Sequence, residues 1–414
     1  MSNNSISTLI EKIFAKGVQE ILKPNLIGEK ICGKKAHKEL NAGGDTYNYG
    51  YVSRGVLQTY TAGTGVTKQY FKGTNEQMSL TTKKVFNFFL DDTEMRQHKK
   101  RAAYLKQKNE EAMTAIALEL DGMVMNRYQD ATYKYGSGGI TTSTTVAGKT
   151  ISVANIGSSF GKVFASLKNR VGKLRSKFMV VDDFIANEIE EAAIGNTFQV
   201  GDLAFKNGYA GTYKGFKIYV SNNLTTEIVL TFGTGTVAAA DYITIKESGT
   251  LTWAATLTAN GQIHVCDSVA NNTINLAAAL NAPGTDIAEA AGTGYDAWED
   301  TDGDQLFDLD GLVATSTTTT VTIVSKRGLM MIASSFADSA ISFGTEVVHC
   351  IAGEEGTIEL AYQEKGKVKI NDNPVDSSGN TILGIEHNFL MIAGVKTFRE
   401  GKRKIIDVQL NSLA

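Results

Sequence analysis

Apolar and polar positions change register several times along this chain, and each change marks an element. Ile6, Leu9, Ile10, Ile13, Phe14, Ile21 and Leu22 recur on one helical face, and Pro24 closes that stretch. A short amphipathic helix behind a polar approach reads as an arm that packs on something else, with an internal core contact as the alternative. Gly43 and Gly44 then open a segment over 43–78 whose aromatics are Tyr47, Tyr49, Tyr51, Tyr60 and Tyr70, with Gly63 and Gly65 at a turn. It holds too few aliphatics to bury a core alone. It predicts a long exposed hairpin covered by a neighbouring molecule, with a plain surface loop as the alternative. Residues 79–90 alternate strictly through Leu80, Thr82, Lys84, Phe86, Phe88 and Leu90, which predicts a strand. Asp91-Asp92 then offer N-cap chemistry.

The longest helical pattern runs from about residue 92 to 132 with Gly122 its one glycine, which predicts a rod of about 60 Å. Met95, Ala102, Leu105, Ala112, Met113, Ile116, Leu120, Met123, Val124, Tyr128 and Ala131 form its apolar seam, and its first half is basic outside. The seam is irregular and rich in small residues, which favours a helix lying along a sheet over a coiled coil. A Gly/Ser/Thr linker is expected over 136–150. Phe160, Val163, Phe164, Leu167 and Val171 predict a helix, Phe178 to Val181 a buried strand, and Asp182-Asp183 the cap of a helix bearing Phe184, Ile185 and Ile189. Another strand at 215–220 is closed by Ser221-Asn222-Asn223. Between 227 and 327 the pattern shortens to strands at 227–232, 241–246, 250–257, 261–266 and 319–324. One helix near 273–281 carries the stripe Ile274, Leu276, Ala277 and Leu280. Leu329 to Ala333 resumes a buried strand, and 357–411 reads as strands with turns at 371–374 and 377–380.

Composition sharpens these divisions. The 414 residues, 42% hydrophobic, suffice for two or three domains. Net charge is −3, so the chain as a whole has no pull toward nucleic acid. Charge is unevenly placed: residues 1–110 hold 18 Lys and Arg against 10 Asp and Glu, and residues 227–327 hold 3 against 13. A shift this sharp marks an acidic module. The 3 prolines fall far below the roughly 20 expected, and the 41 glycines supply the bends. Cys32, Cys266 and Cys350 are odd in number and far apart, which fits a reducing compartment. No apolar run reaches the ~18 residues of a membrane span, and the polar start Met1-Ser2-Asn3-Asn4 is not a secretory signal.

Signals for chemistry are poor. His37, His98, His264, His349 and His387 show no metal-ligand spacing with one another or with the cysteines. His349 and Cys350 are neighbours on a predicted strand and so point to opposite faces. Gly148-Lys149-Thr150 ends like a phosphate loop, but position 143 is serine where that loop needs glycine. Asp300, Asp302, Asp304 and Asp308 have calcium-loop spacing. Glycine stands at Gly303 instead of two positions later, and Gly311 replaces the closing glutamate, so an acidic turn competes with a calcium site. Carboxylate pairs at 91–92 and 182–183 are explained by helix capping, and further pairs stand at 190–191 and 354–355. No catalytic, cofactor-binding or metal residue is assigned.

The order of elements is more telling than any motif. Arm, glycine-opened hairpin, the strand Lys84 to Asp92 and a very long helix ending near Leu120-Asp121 occur in sequence. Gly215-Phe216-Lys217-Ile218-Tyr219-Val220-Ser221-Asn222 and Ile332-Ala333-Ser334-Ser335-Phe336-Ala337 follow them. Over about 1–225 and 328–414 this resembles the major capsid proteins of tailed bacteriophages, with the Hong Kong 97-type capsid fold. The resemblance implies an α+β shell subunit. Its parts would be an N-terminal arm (1–42), an extended loop (43–78) and a peripheral domain with the spine helix (79–150). An axial domain would follow in two parts (151–226 and 328–356), with C-terminal peripheral-domain strands (357–414). Residues 227–327 depart from the pattern as an acidic β-rich insertion domain. The implied partners are copies of the chain in pentamers and hexamers, a separate scaffolding protein, a portal and packaged double-stranded DNA contacted without sequence reading. Decoration or neighbouring-subunit contact is implied through 227–327, with no membrane and no cofactor. The implied location is the virion, after assembly in the host cytoplasm. The basic arm and spine suit the DNA side, and the acidic insertion the outer face. An encapsulin-like compartment shell, a surface-layer or adhesin-type β protein, and a glycan hydrolase hidden in the insertion are the rival readings.

Overall fold

The computed structural model describes residues 27–41, 44–52, 55–62, 66–91, 101–143, 146–171, 176–195, 209–233, 237–245, 249–254, 262–265, 268–281, 287–290, 293–295, 312–326, 328–330, 332–335, 341–372, 374 and 383–412. They group into two compact units. The arm helix over 6–22, the tip glycines Gly63 and Gly65, the aspartates between 300 and 308, and the turn at 377–380 lie outside the described residues.

The first unit contains Ile31–Leu120 and Gly356–Gly401. Thr82–Asp91 is a strand, as its alternation predicts. It pairs antiparallel with Gly384–Thr397, which pairs in turn with the fifteen-residue strand Ile358–Asp372. Residues opposite one another share a face, so Phe86 and Phe88 join His387 and Phe389. The Phe88 ring stacks on His387 at 4.9 Å and on Phe389 at 6.1 Å. The strand starts later than the alternation implies, because Gly73–Ser79 belongs to another ladder. That ladder is a hairpin with Thr46–Val52, in register from Thr46 opposite Ser79 to Val52 opposite Gly73. Met78 and Leu80 turn inward to a small core with Ala36, Leu40, Ala361 and Phe398. The helix Lys35–Leu40 lacks a side-chain cap of its own. Glu359 supplies one: its Oε2 accepts from the backbone N of Lys35 at 3.0 Å and of Ala36 at 3.4 Å.

The long helix is described over Arg101–Met125, about 38 Å of rod, and the boundary between the units falls within it. Ala112, Ile116, Leu120 and Val124 are buried as the seam predicts. The helix does not run to 132. Asn126–Asp130 tightens into a 3-10 turn, and Ala131 is already extended.

The second unit contains Pro24–Lys30, Asp121–Glu355 and Lys402–Ala414. Its centre is the strand Val347–Glu354, buried at every position but the first. It pairs with Ile405–Asn411 on one side, and with Thr226–Phe232 and Lys177–Val181 on the other. Lys177–Val181 runs parallel to Phe216–Val220, and the helices Val153–Val171 and Asp183–Gly195 pack on each other beside them. The buried face Phe160, Val163 and Leu167 is the predicted one. At the head of the second helix Asp182 Oδ1 accepts from Ile185 N at 2.8 Å, an N-cap in the predicted place. The buried Asp121 carboxylate accepts from the backbone N of Ile27 at 2.9 Å and Gly28 at 2.6 Å, and from Asn223 Nδ2 at 3.2 Å.

Three sequence expectations change here. The segment 136–150 is not a free linker. Gly139–Thr141 pairs with Tyr133–Gly136, and Lys149 bridges to Leu410, so this stretch extends the large sheet. The tail 357–414 divides, because Ile405–Asn411 is almost wholly buried and needs the middle of a sheet covered on both faces. The acidic segment does not begin as a detached module. Thr226–Phe232 pairs with Thr320–Ser325 and belongs to the large sheet. A second, six-stranded sheet includes Tyr242–Ile245, Gly249–Ala254 and Gln262–His264, and it is edged by Ala333–Ser335 from beyond residue 327. One core joins the two sheets through Leu230, Phe232, Trp253, Ile263, Leu276 and Ile323.

The helix Val269–Asn281 closes this core with Leu276, Ala277 and Leu280, whereas Ile274 faces out and Thr273 takes the buried place. Thr273 is held there because its Oγ1 donates to Thr317 O at 2.8 Å. At the helix end Asn281 acts as a surrogate strand. Its Nδ2 donates to Ala314 O at 2.7 Å and its Oδ1 accepts from Ala314 N at 2.8 Å. This blunts the edge strand Leu312–Ser316. Asn281→Ala leaves both backbone groups without their partner. It is expected to cost about 1–3 kcal/mol, read as a lower urea midpoint at unchanged slope. A loss under ~0.5 kcal/mol would mean that water replaces the amide fully.

Candidate functional site: an exposed apolar hairpin and a buried ionisable cluster

The hairpin over residues 46–79 turns Met78 inward but leaves most of its apolar side chains on the outside. Beyond the ladder, Val56, Leu57, Tyr60, Val66, Tyr70 and Phe71 are all exposed, Leu57 completely and Tyr70 to 85%. The two arms are tied by glutamine side chains in place of a backbone ladder. Val56 N donates to Gln69 Oε1 at 2.9 Å, Gln69 Nε2 donates to Val56 O, and Gln58 Nε2 donates to Thr67 O at 2.9 Å. The backbone is thereby ordered without any apolar burial to order it. A run of bare valine, leucine and aromatic side chains on an ordered segment is the signature of a surface that is covered in its working state.

The second site lies within the large sheet. His349, Asp407 and Glu227 come from three adjacent strands, and Tyr128 comes from the 3-10 turn. His349 Nδ1 lies 3.1 Å and 3.2 Å from the two Asp407 oxygens, and Nε2 lies 3.5 Å from Glu227 Oε2, an ion-pair distance longer than a good hydrogen bond. The Tyr128 ring stacks on the imidazole at 4.1 Å. Asp407, fully buried, also accepts from Gln409 Nε2 at 2.8 Å and has Lys134 Nζ at 4.0 Å. Burial alone would push the imidazole down. The two carboxylates outweigh it and raise His349 to about 9. Glu227 is correspondingly held below its ordinary value by the imidazole of His349 beside it. Burial pushes the Tyr128 phenol up to about 12.

A histidine against a buried aspartate is also how catalytic imidazoles are oriented. Here the second ring nitrogen faces a carboxylate instead of a nucleophile, and His349 is 3% exposed. The arrangement holds charge in place. Cys350 is buried on the other face of the strand, as alternation requires, and its thiol is pushed up by burial.

The remaining candidates stand apart. His37 packs at a tilt against Tyr362 at 4.2 Å, His387 stacks on Phe88, and His264 lies on a strand of the six-stranded sheet. Among the described residues no three His, Cys, Asp or Glu side chains could hold a metal ion. His98, Cys266 and the aspartates at 300, 302, 304 and 308 lie outside the described residues. Lys149 and Thr150 serve the sheet: Lys149 N donates to Gln409 O at 2.9 Å, and Asn411 Nδ2 donates to Thr150 Oγ1 at 2.8 Å. Glu354 pairs with Lys404 at 2.7 Å and Glu355 with Lys217 at 2.9 Å, so these carboxylates are structural. Among the described residues no helix is long and apolar enough to cross a membrane. The hairpin was visible in the sequence as aromatics with too few aliphatics to bury a core. The buried cluster was not, since its members are far apart in the chain and charged residues in strands carry no pattern.

No model of a known protein family and no curated protein matches the chain. Among solved structures it is similar to a chain of Mycobacterium phage Che8, with 12% identity, 97% of this chain and 96% of that chain covered, and a TM-score of 0.51. It is also similar to the capsid structure of the Cyanophage P-SCSP1u (13% identity, 100% and 97% covered, TM-score 0.48). A third is the asymmetric unit of the bacteriophage PhiM1 mature capsid (11% identity, 97% and 92% covered, TM-score 0.44). At such identities the likeness to the Che8 chain is one of fold. It bears out the α+β, Hong Kong 97-type fold that the order of elements implied.

Proposed function

We propose that the chain is a major capsid protein of a tailed double-stranded DNA phage, self-assembling into pentamers and hexamers that close an icosahedral head. The observation that carries this reading is the Leu57-centred apolar hairpin, ordered and uncovered, on a chain whose fold matches the Che8 chain over 97% of its length. A solitary protein gains nothing from such a surface, whereas a subunit buries it on its neighbour. The parts keep the order already given, arm at 1–42, extended loop at 43–78, spine and peripheral domain from 79, axial domain at 151–226 and 328–356, acidic insertion at 227–327 and C-terminal strands at 357–414, with the changes that Gly139–Thr141 and Thr226–Phe232 join the large sheet and Ala333–Ser335 the smaller one. A separate scaffolding protein and portal complete assembly in the host cytoplasm, and the virion is where the protein works. The 18 basic residues of 1–110 face packaged DNA through phosphate contacts, and the acidic insertion faces outward toward decoration proteins or neighbouring subunits.

Electron microscopy of the purified chain, alone and co-expressed with its phage's scaffolding protein, tests the reading. Closed shells or rings of five and six are expected. A monodisperse monomer under both conditions would overturn it.

A further inference from the structure

Within the second unit the chain crosses twice between the strand Val347–Glu354 with its neighbours and the elements from Thr226–Phe232 to Ile341–Phe343. It leaves at Thr225–Thr226 and returns through Gly344 to Val347. Beyond the crossing the elements share a core of their own. Leu230, Trp253, Ile263, Leu276, Ile323 and Met330 belong to it, and none of its described members comes from Val347–Glu354, Lys177–Val181 or Ile405–Asn411. The large sheet spans both sides, but its ladder narrows at the crossing. Thr226–Phe232 pairs with Thr320–Ser325 from Thr226 to Thr231, and Val347–Glu354 pairs with Ile405–Asn411 from Val347 to Gly353. These two strands meet each other only where Val347 lies opposite Glu227 and Val348 opposite Thr226.

The crossing is polar where a core would be apolar. Ser221, Asn223, Thr225 and Thr226 are buried there. His349 N donates to Thr225 O at 2.9 Å, and Thr225 Oγ1 donates to Asn126 Oδ1 at 3.1 Å. A cavity of 190 Å³ beside the crossing is lined by Thr226, Gly328 and Leu329 from one side and by Phe184 and Val348 from the other, whereas protein interiors are otherwise close-packed. Little apolar contact therefore resists rotation of one side against the other, and strand ends are where hinges absorb such rotation.

One charge pair bridges the joint. His349 is anchored on its own side, where Nδ1 is held by Asp407. Its Nε2 faces Glu227 across the joint at 3.5 Å and has no hydrogen-bond partner among the described residues. The Glu227 side chain is 39% exposed, so it can leave for water. The uncovered Nε2 then gains a hydrogen bond to water as well. Charge alone favours the closed arrangement, and opening forfeits no side-chain hydrogen bond of the pair.

We propose that the elements from Thr226–Phe232 to Ile341–Phe343 swing as one body about Thr225–Thr226 and Gly344–Val347, and that the His349–Glu227 pair is the latch that holds the body closed. The device belongs to the single chain and stands whether or not the chain builds a shell.

The latch has a pH window. Asp407 and Glu227 face the imidazole, Lys134 Nζ lies 4.0 Å from Asp407, and the Tyr128 ring covers the imidazole face. The Cys350 thiol is buried on the other face of the strand. His349 is raised to about 9 and Glu227 is lowered, so both are charged at neutral pH and the latch opens as pH rises through about 9.

The test is double electron–electron resonance on the full chain, spin-labelled through Ile274→Cys and Val153→Cys. These exposed helix positions lie one on each side of the crossing. Cys32→Ser and Cys266→Ser remove competing thiols, and dilution into unlabelled chain leaves only distances within one molecule. A single narrow distance is expected at about pH 7. In Glu227→Gln, and with Glu227 intact at about pH 10, a second distance or an at least about twofold broader distribution is expected. Hydrogen exchange separates a hinge from unfolding. In Glu227→Gln the amides of 225–228 and of His349 should exchange about tenfold faster or more, while Ile243, Leu251 and Trp253 on one side and Ile406 and Val408 on the other keep their protection. An unchanged single distance in the variant and at high pH, or a loss of protection shared by the joint and both sides, would overturn the proposal. If Glu227→Gln does not fold, the pH comparison with Glu227 intact decides.

Discussion

Replacing Asp407 by alanine is expected to destabilise the folded chain by about 3–5 kcal/mol, because it strands a positive imidazole inside the large sheet. The same cluster gives stability a definite dependence on pH. His349 is raised to about 9, against about 6.5 in the unfolded chain. Its contribution is therefore complete below about pH 6.5 and is lost as pH rises through about 9. Each tenfold change in proton affinity is worth about 1.4 kcal/mol, so the whole swing is on the order of 3 kcal/mol. Glu227 is lowered by the same pair, so that partner's contribution is lost at the opposite end, as pH falls through its folded value. The two effects report one interaction and are not added. Denaturant unfolding at a series of pH values checks this. In His349→Gln the fall in stability between about pH 6.5 and 9.5 should shrink by most of that swing. A wild-type curve flat over that window would show the imidazole to be neutral in the folded chain.

If the chain is the capsid subunit proposed above, substituting aspartate for Leu57, or serine for both Tyr70 and Phe71, is expected to abolish shell formation while leaving the chain's own unfolding midpoint unchanged. These side chains support no internal core: Leu57 is fully exposed, and the local backbone is held by Gln58 and Gln69. Apolar anchors at the centre of an interface cost about 2 kcal/mol or more each when removed. Every subunit of a shell loses the same contact, and closed assembly multiplies the loss. Sedimentation velocity separates the outcomes. Particles from Leu57→Asp at wild-type yield would show the hairpin to be dispensable. A lowered unfolding midpoint would show that it packs on its own subunit.

The parts of the fold legible in the sequence were those whose burial is periodic. Phe86, Phe88 and Leu90 marked a strand and Ala112, Ile116 and Leu120 a helix, because each buries one face along a regular element. Asp182 marked a cap because capping is local chemistry. Where neighbours far along the chain decide, the pattern was silent. Gly139–Thr141 looked like a linker because its pairing partner, Tyr133–Gly136, sits on a sheet assembled from distant strands. Ile274 looked like a core position, yet it faces out while Thr273 is buried, its hydroxyl placed against Ala270 O and Thr317 O. The site was half legible for the same reason. An aromatic hairpin with few aliphatics is a local statement. The meeting of Glu227, His349 and Asp407 is a statement about register between three strands.

The place of Ile405–Asn411 in the large sheet also sets a timetable. Tyr133–Gly136 pairs with this strand, and so does Val347–Glu354, so neither ladder can close until residue 405 and beyond have been made. Loop closure over such separations is slow. The backbone ladder between Thr46–Val52 and Gly73–Ser79 pairs locally and can form long before, although its inner side chain Met78 finds Ala361 and Phe398 only late. The exposed apolar surface beyond that ladder can therefore exist while the largest sheet is still open, and on the proposed capsid reading a nascent chain at high concentration faces a race between finding its own last strand and finding another copy. Slowing translation after residue 79 should worsen aggregation, and holding neighbours apart until residue 411 has docked should relieve it.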